Sequence, residues 1–436
     1  MTSSRPELPP GNPRHHGLVY DCLLAAAIII LGLILYQPGV FSVDESHYLL
    51  AVNAMAQNGS FHIVNGYEQF QAEQLLFFYT VVPDKVDQLG TVSSVPPFHA
   101  LIATPFLLIG GLAGLIWLNI LAFAGTAIAV RRMASFLQPQ GLFAPAAALA
   151  MVLGTFSLEY ALGIWPHSLS QCLIAWASLL LLTTYKSEMK HAVILAGLAG
   201  LLGGLAVGIR LQNIVLLPVF LVAARLALKV GWPVLTAHFL GWLPGLVGIS
   251  LINASRLGTY NPFTNGWSGN WTRTIYGQVF GWISSFPWII AIGLVLLGAV
   301  AWLWRKRKYK ILAAGTALSV VAIVILVPAI RNLIERWIAM VAYHLLDTTF
   351  LPAATRSVGS SPSELGQALY GGVLKKGLFE VAPFLILAGL AILARWRSRE
   401  LPGGLTFLAG LGLASLLLLP VVLSAGGLCF NPRYLL

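Results

Sequence analysis

Apolar runs of about sixteen or more residues recur along this chain, and they constrain its fold more than any other feature. A run such as residues 18–36 reaches about 30 Å as a helix, which matches the hydrocarbon thickness of a membrane. Only a helix satisfies its own backbone hydrogen bonds in lipid, and the runs lack the alternating polarity of a membrane β-barrel. The sequence therefore predicts an all-α polytopic integral membrane protein.

The composition agrees with this class, because 58% of the residues are hydrophobic and only 9% are charged. A net charge of +11 could suit nucleic acid, but the basic residues cluster beside apolar runs, which is the pattern that sets membrane topology. We therefore expect membrane lipids, and not nucleic acid, as partners. The cysteines are scattered and predict neither a disulfide framework nor a metal site: Cys22, Cys172 and Cys429.

The basic clusters predict how the chain threads the membrane. If they are cytoplasmic along with the N-terminus, each interval between clusters holds an even number of crossings. The apolar stretch 97–109 reaches only about 20 Å, so we expect it to lie in the outer interface or to enter the membrane and return. About eleven crossings remain. They are residues 18–36, 113–130, 142–157, 169–185, 192–209, 213–228, 235–254, 282–304, 311–329, 380–394 and 402–424.

This threading predicts a cytoplasmic tail, residues 1–17, followed by a single transmembrane domain, residues 18–436, without a separate soluble domain. The outer side then carries a large first loop, residues 37–112, with helices at the interface. Many of the chain's acids fall in that loop, so chemistry is expected at the outer mouth of the bundle. They are Asp44, Glu45, Glu68, Glu73, Asp84 and Asp87.

Asp44 and Glu45 lie side by side just after the first crossing. The local pattern predicts a helix with Ser42 as its cap, Glu45 as the capping-box partner and Gly59 as its end. Both acids would also complement the helix dipole, which accounts better for Glu45 than for Asp44. A carboxylate held partly desolvated at the membrane surface can act as a general base on a hydroxyl, so Asp44 is a candidate catalytic residue.

Arg210 is the most conspicuous charge outside the basic clusters, and it ends a glycine-rich crossing. A charge near the membrane core costs roughly 2.5 to 3.5 kcal/mol on insertion scales, and less toward the interface. A guanidinium placed there can hold a phosphate through two parallel hydrogen bonds. The alternative is that Arg210 extends its charge to lipid headgroups.

Two histidines fall in the predicted outer regions. His99 follows Pro96 and Pro97, which fix the start of a helix. His167 lies in a short outer loop with Glu159. A histidine such as His99 is more often structural or interfacial than catalytic. Glu159 and His167 are helix-end residues as readily as site residues.

Aromatic and basic residues mark the later outer loops. Tyr260 and Trp267 suit an interface or the face of a sugar. Lys376 and Arg433 lie in basic clusters on the outer side, against the usual bias, which favours anionic ligands there. No phosphate-binding glycine loop, dinucleotide fingerprint or zinc-protease helix occurs in the sequence.

Taken in order, these motifs resemble the GT-C superfamily of polyprenyl-phosphate-sugar glycosyltransferases, which includes the protein O-mannosyltransferases and the bacterial aminoarabinose transferase. The order of the motifs along nearly the whole chain carries the resemblance, since none is specific alone. They are the Asp-Glu pair, the Pro-Pro helix start, the arginine ending a glycine-rich crossing, Gly-Thr-Tyr-Asn-Pro-Phe at 258–263, Lys-Gly-Leu-Phe at 376–379 and Arg-Tyr-Leu-Leu at 433–436.

The resemblance implies an inverting transfer of a sugar from a lipid-phosphate donor to a hydroxyl of a glycan, lipid or protein acceptor. Asp44 matches the family's catalytic acid and would take the acceptor proton, while Glu45 would support it or help to hold a divalent metal. Arg210 falls where the family places a basic residue against the lipid phosphate. Arg433 and Lys376 are further candidates for the phosphate.

The chain departs from the family in two places. Some members carry Glu-Lys before the proline pair, where this chain has Ser94-Val95, which removes one metal ligand and one phosphate contact. Metal dependence is therefore an open alternative. Members of the family usually continue beyond the motif at 433–436 into another crossing. The resemblance therefore implies that this chain is truncated at Leu436.

Two other functions stay open at this point. A transporter or flippase of lipid-linked or anionic solutes would use a buried arginine too, but near the midplane among broken helices. A non-catalytic scaffold would tolerate replacement of Asp44 and Arg210. The gathering of polar residues in outer loops favours surface chemistry, and the short loops favour a bacterial inner membrane with the site on the periplasmic side.

Overall fold

The computed structural model describes residues 13–37, 39–40, 43–63, 91–93, 95–139, 141–263, 384–397 and 402–422, with a few single positions between 338 and 379. Contacts divide the chain into two compact units. The first comprises Met1–Leu217, Leu221–Asn265 and Gly403–Phe407, and the second comprises Pro218–Phe220, Gly266–Pro402 and Leu408–Leu436. The predicted crossings 282–304 and 311–329 lie outside the described residues, as do four of the six acids in the first loop.

The described chain is built from helices and one short strand pair. The helices are α1 (Pro13–Leu35), α2 (Val43–Asn58), α3 (Pro97–Leu137), α4 (Phe143–Gly154), α5 (Ser157–Ala161), α6 (His167–Thr183), α7 (Met189–Ile209), α8 (Leu216–Leu226), α9 (Trp232–Leu257), α10 (Phe384–Arg397) and α11 (Gly403–Val422). An antiparallel ladder of two residues on each side joins β1 (His62–Ile63) and β2 (Thr91–Val92).

Five helices of the described chain are long and apolar enough to cross a membrane, namely α1, α3, α6, α7 and α9. Large apolar side chains lie exposed on them, such as Ile34 at 73% and Leu251 at 60%. Hydrocarbon, unlike water, accommodates such a surface without cost. The predicted class, an all-α membrane protein, is confirmed. The helices α4, α8, α10 and α11 are apolar but shorter.

Helix α3 reverses at Gly111, just after the apolar stretch 97–109, for which the sequence leaves open an interfacial or a re-entrant placement. Gly111 has φ 58° and ψ −144°, which breaks the helix. A Cβ added at Gly114 would collide with the carbonyl oxygen of Phe106, although residues eight apart lie about 12 Å apart along a straight helix. The segment before Gly111 therefore turns back toward the segment after it.

Helices α7 and α9 pack with their backbones in close approach. Gly200 and Gly204 of α7 face backbone carbonyls of α9, where a Cβ would collide. Trp242 is fully buried in α9 and donates from Nε1 to His238 Nε2 at 3.1 Å, while His238 Nδ1 lies 3.2 Å from the carbonyl oxygen of Ala196. Small residues are the usual means of bringing membrane helices together, and polar side chains add hydrogen bonds between them.

The predicted basic clusters of the first unit converge on one end of it. Arg131 near the end of α3 pairs with Asp21 near the start of α1, with 2.6 Å between Nη2 and Oδ1. Lys186, just after α6, lies 4.4 Å from the ring centroid of Phe136 in α3. We call this the basic end. The opposite end holds the starts of α3 and α6 and the ends of α7 and α9, and we call it the polar end.

Candidate functional site

The polar end collects buried side chains that carry charge or hydrogen-bonding groups. Burying such groups is costly unless they are bonded, so their concentration at one end of an apolar bundle marks a candidate functional site. They are Glu45, Ser93, His99, Asn119, His167, Ser168, Ser170, Arg210, Asn213, Asn253 and Arg256, each less than 9% exposed.

Helix α2 begins and ends as the sequence predicts, and Gly59 follows it with φ 60°. Glu45 is fully buried in its first turn, and Oε1 accepts the backbone N–H of Ile164 at 2.8 Å. The predicted cap, Ser42, lies outside the described residues. The backbone of Asp44 lies in the same first turn as Glu45, and its side chain lies outside the described part of the chain.

His99 lies in the first turn of α3 and is 1% exposed. Its ring meets the ring of Tyr48 from α2 edge to face, with 5.2 Å between centroids. Phe98 occupies the space that the missing side chain of Gly208 leaves on α7. The start of α3 therefore lies against α2 on one side and against the last turns of α7, near Arg210, on the other.

Arg210 caps the C-terminal end of α7 in an extended conformation and is 4% exposed. Its guanidinium lies against the side-chain amide of Gln212, whose oxygen accepts from Nε and Nη2 in the orientation that satisfies both groups. Asn213 then donates to Ser170 Oγ at 2.7 Å. This bond joins the end of α7 to the first turn of α6.

His167 begins α6 inside a buried aromatic cluster. Its ring stacks on Tyr160 with 4.6 Å between centroids and meets Trp165 edge to face at 5.4 Å. The three rings are each at most 9% exposed. The residue is therefore part of the packing that fixes the start of α6.

The contacts bring four of the residues predicted from the sequence to the polar end: Glu45, His99, His167 and Arg210. Tyr260 lies just beyond α9 but is 71% exposed, so its side chain does not join the buried group. Exposure suits the interfacial role that the sequence predicts for it. Trp267, Lys376 and Arg433 lie outside the described residues.

Arg256 is a buried residue of the polar end that lies in none of the motifs described above. It is 2% exposed in the last turn of α9, where a cation is stabilised by the helix dipole. Its Nη1 donates to the carbonyl oxygens of Ser93 at 3.1 Å and Val95 at 2.8 Å, and Nε donates to Asn253 Oδ1 at 2.9 Å. An arginine at the end of a predicted crossing is the signal that could have identified it.

Within the described residues, no group of three or more histidine, cysteine, aspartate or glutamate side chains lies close enough to hold a metal ion. No protein-family model, curated protein or solved structure matches the chain. The function of the chain is therefore inferred from the buried polar groups at the polar end and from the order of the sequence motifs.

Proposed function

We propose that this chain is a membrane glycosyltransferase, which moves a sugar from a polyprenyl-phosphate donor to a hydroxyl of a glycan, lipid or protein acceptor. The observation that carries the proposal is the burial of Glu45, His99, His167 and Arg210 at the same end of the first unit. The order of the GT-C-like motifs supports it. The proposal includes about eleven crossings, a bacterial inner membrane and a site on the periplasmic side.

The proposed reaction is a single displacement at the anomeric carbon of the sugar. The acceptor oxygen attacks that carbon while the bond from the carbon to the phosphate oxygen breaks, and polyprenyl phosphate leaves with the electron pair. Attack from the opposite side inverts the configuration. Asp44 takes the hydroxyl proton as general base, and its place in the first turn of α2 at the polar end supports this role.

Arg210 binds the donor phosphate in this mechanism. Charge grows on the phosphate as the bond to the sugar breaks, so a fixed guanidinium stabilises the transition state more than the ground state. The amide of Gln212 and the bond between Asn213 and Ser170 restrict where Arg210 can point. Arg433 and Lys376 are the further phosphate ligands of the proposal. The resemblance also implies a divalent metal at Asp44 and Glu45, which would shield the phosphate charge.

A second function, transport or flipping of a lipid-linked or anionic solute, is favoured by one observation. The reversal at Gly111 breaks α3, and broken helices line the sites of many transporters. Such sites lie near the midplane of the membrane, whereas most of the buried polar side chains in the described part of the first unit lie at the polar end. Enzymatic transfer is therefore the better-supported proposal, and the same preparation can test both.

The test is release of free polyprenyl phosphate from a panel of polyprenyl-phosphate hexoses and pentoses by protein in lipid nanodiscs, with and without peptide, glycan and lipid acceptors. We expect release by the wild type and at least about a hundredfold less by Asp44→Asn, because general-base catalysis contributes about 10²- to 10⁴-fold. Glu188→Gln, an exposed acid beside the basic end, is the matched control and should keep full activity.

Equal release by the Asp44 and Glu188 variants would remove the catalytic assignment. If no donor is turned over, while liposomes containing the protein move a fluorescent lipid-linked sugar between leaflets, the transporter proposal replaces this one. If the protein neither releases polyprenyl phosphate nor moves the lipid-linked sugar, the non-catalytic scaffold is the remaining function.

A further inference from the structure

Glu45 belongs to a joint between three elements at the polar end. Its Oε1 accepts the N–H of Ile164 at 2.8 Å, across 119 positions of sequence. The adjoining carbonyl of Gly163 accepts from Asn119 Nδ2 of α3 at 2.7 Å. The turn at 163–164 is thus held from α2 by a carboxylate and from α3 by an amide. We call Glu45, Asn119, Gly163 and Ile164 the turn joint.

The joint leaves no room for a side chain at position 163. A Cβ there would collide with Oε1 of Glu45 and with the ring of Trp165, 2.7 Å from its Cδ1. Glu45 is fully buried and Asn119 is 1% exposed, so water cannot take over the hydrogen bond of either side chain unless the surrounding packing opens. The carboxylate of Glu45 therefore packs directly against the backbone of the turn at 163–164.

The joint fixes the relation between two parts of the proposed site. Glu45 lies in the first turn of α2, which also carries the backbone of Asp44. Ile164 lies three residues before His167, the first residue of α6. In the first turn of α6, Ser170 accepts a hydrogen bond from Asn213, which lies close to Arg210 in the chain. A bond between Glu45 and Ile164 therefore sets where the proposed base stands relative to the proposed phosphate ligand.

We propose that Glu45 is a positioning residue, which holds the first turn of α2 against the start of α6, and that it serves neither as a base nor as a metal ligand. This inference rests on the proposed function, because the residue that it positions is Asp44. It replaces the supporting and metal-holding roles that the resemblance implies for Glu45.

The contact itself is tested without any activity, by thermal unfolding in detergent of Glu45→Ala, Gly163→Ala and the double variant. Each single variant should unfold at a lower temperature than the wild type. The double variant should lose clearly less than the sum of the two shifts, because removing the carboxylate also removes part of the collision at position 163. Additive shifts would overturn the joint, whatever the protein's activity proves to be.

The positioning role is tested by turnover with the donor that the wild type uses. Glu45→Gln keeps an oxygen that can accept the N–H of Ile164, so it should stay within about threefold of wild type, since a neutral acceptor gives a weaker bond than a charged one. Glu45→Ala should lose about ten- to a hundredfold in kcat, because small misplacements of a catalytic group are costly.

Donor-binding stoichiometry separates positioning from simple loss of folded protein. Glu45→Ala should bind donor at the wild-type stoichiometry and with a similar Kd while turning it over slowly. A kcat loss in Glu45→Gln as large as in Glu45→Ala would show that the charge itself is needed, for a base or a metal, and would overturn the inference. Normal turnover by Asp44→Asn would instead remove Asp44 as the base and with it the residue that Glu45 is proposed to position. Failure of the wild type to release polyprenyl phosphate from any donor would overturn the proposed function, while the unfolding cycle would still report on the joint.

Discussion

Asp21 of α1 and Arg131 of α3 form a buried ion pair across 110 positions of sequence, with 2.6 Å from Arg131 Nε to Asp21 Oδ1. Arg132 donates to the second oxygen of the same carboxylate at 2.9 Å. One acid therefore neutralises part of a basic cluster and ties the first helix to the third. Ionisable side chains within membrane segments commonly pair with one another in this way.

Removing the acid should destabilise the first unit. In Asp21→Asn, Arg131 keeps its charge but loses its ionic partner, and breaking a buried pair from one side costs about 3 to 5 kcal/mol. We expect a lower unfolding temperature in detergent, measured beside Glu188→Gln as an exposed acid near the same end. A midpoint equal to that of the control would show that the pair contributes nothing net.

Arg210 should be required for use of the donor under the proposed function. Arg210→Ala removes the phosphate ligand and should raise the KM for donor and lower kcat, with a combined loss of about 10²- to 10³-fold as for other groups that stabilise developing negative charge. Arg210→Lys should recover only part of this, because a lysine is a point charge and cannot form two parallel hydrogen bonds.

The control for Arg210 is Arg225→Ala, at the other end of the next helix, where the side chain is exposed. Its variant should turn over donor normally. If Arg210→Ala and Arg225→Ala behave alike, the phosphate assignment fails and Arg210 has a structural role.

Arg256 should hold the segment before α3 in place. Arg256→Ala leaves the carbonyls of Ser93 and Val95 without their donor, and hydrogen bonds to charged groups are each worth about 1.5 to 3 kcal/mol. We expect a lower unfolding temperature together with faster protease cleavage near residues 91–96. Unchanged cleavage would show that other contacts hold this segment.

The reversal in α3 should depend on glycine at position 111. At φ 58° and ψ −144° a side chain is strained even though open space surrounds the position, so Gly111→Ala should cost about 1 to 3 kcal/mol. Gly110→Ala is the matched control, since it too has open space but lacks the positive φ. Its unfolding temperature should equal or exceed that of the wild type, because alanine favours helices. Equal losses in both variants would mean that no strain is stored at Gly111.

Local patterns in the sequence predicted much of the described fold. Apolar runs fixed the helices, the proline pair marked the start of α3, and Gly59 marked the end of α2. The short length of 97–109 predicted that this stretch and residues 113–130 are separate segments, and the break at Gly111 lies between them. These features depend on residues close together in the chain, where period, length and turn chemistry act directly, so no knowledge of packing was needed.

Tertiary structure decided which partners the polar groups find. The sequence assigned Glu45 to a cap, yet its carboxylate bonds to Ile164, and it gave no reason to connect Asp21 with Arg131 or Arg256 with Ser93. Each of these contacts spans more than a hundred positions, and each forms only when the helices pack and bring distant turns together. The sequence alone thus determined the class, the helices and several residues of the candidate site, while the pairing of those residues arose only when the helices packed.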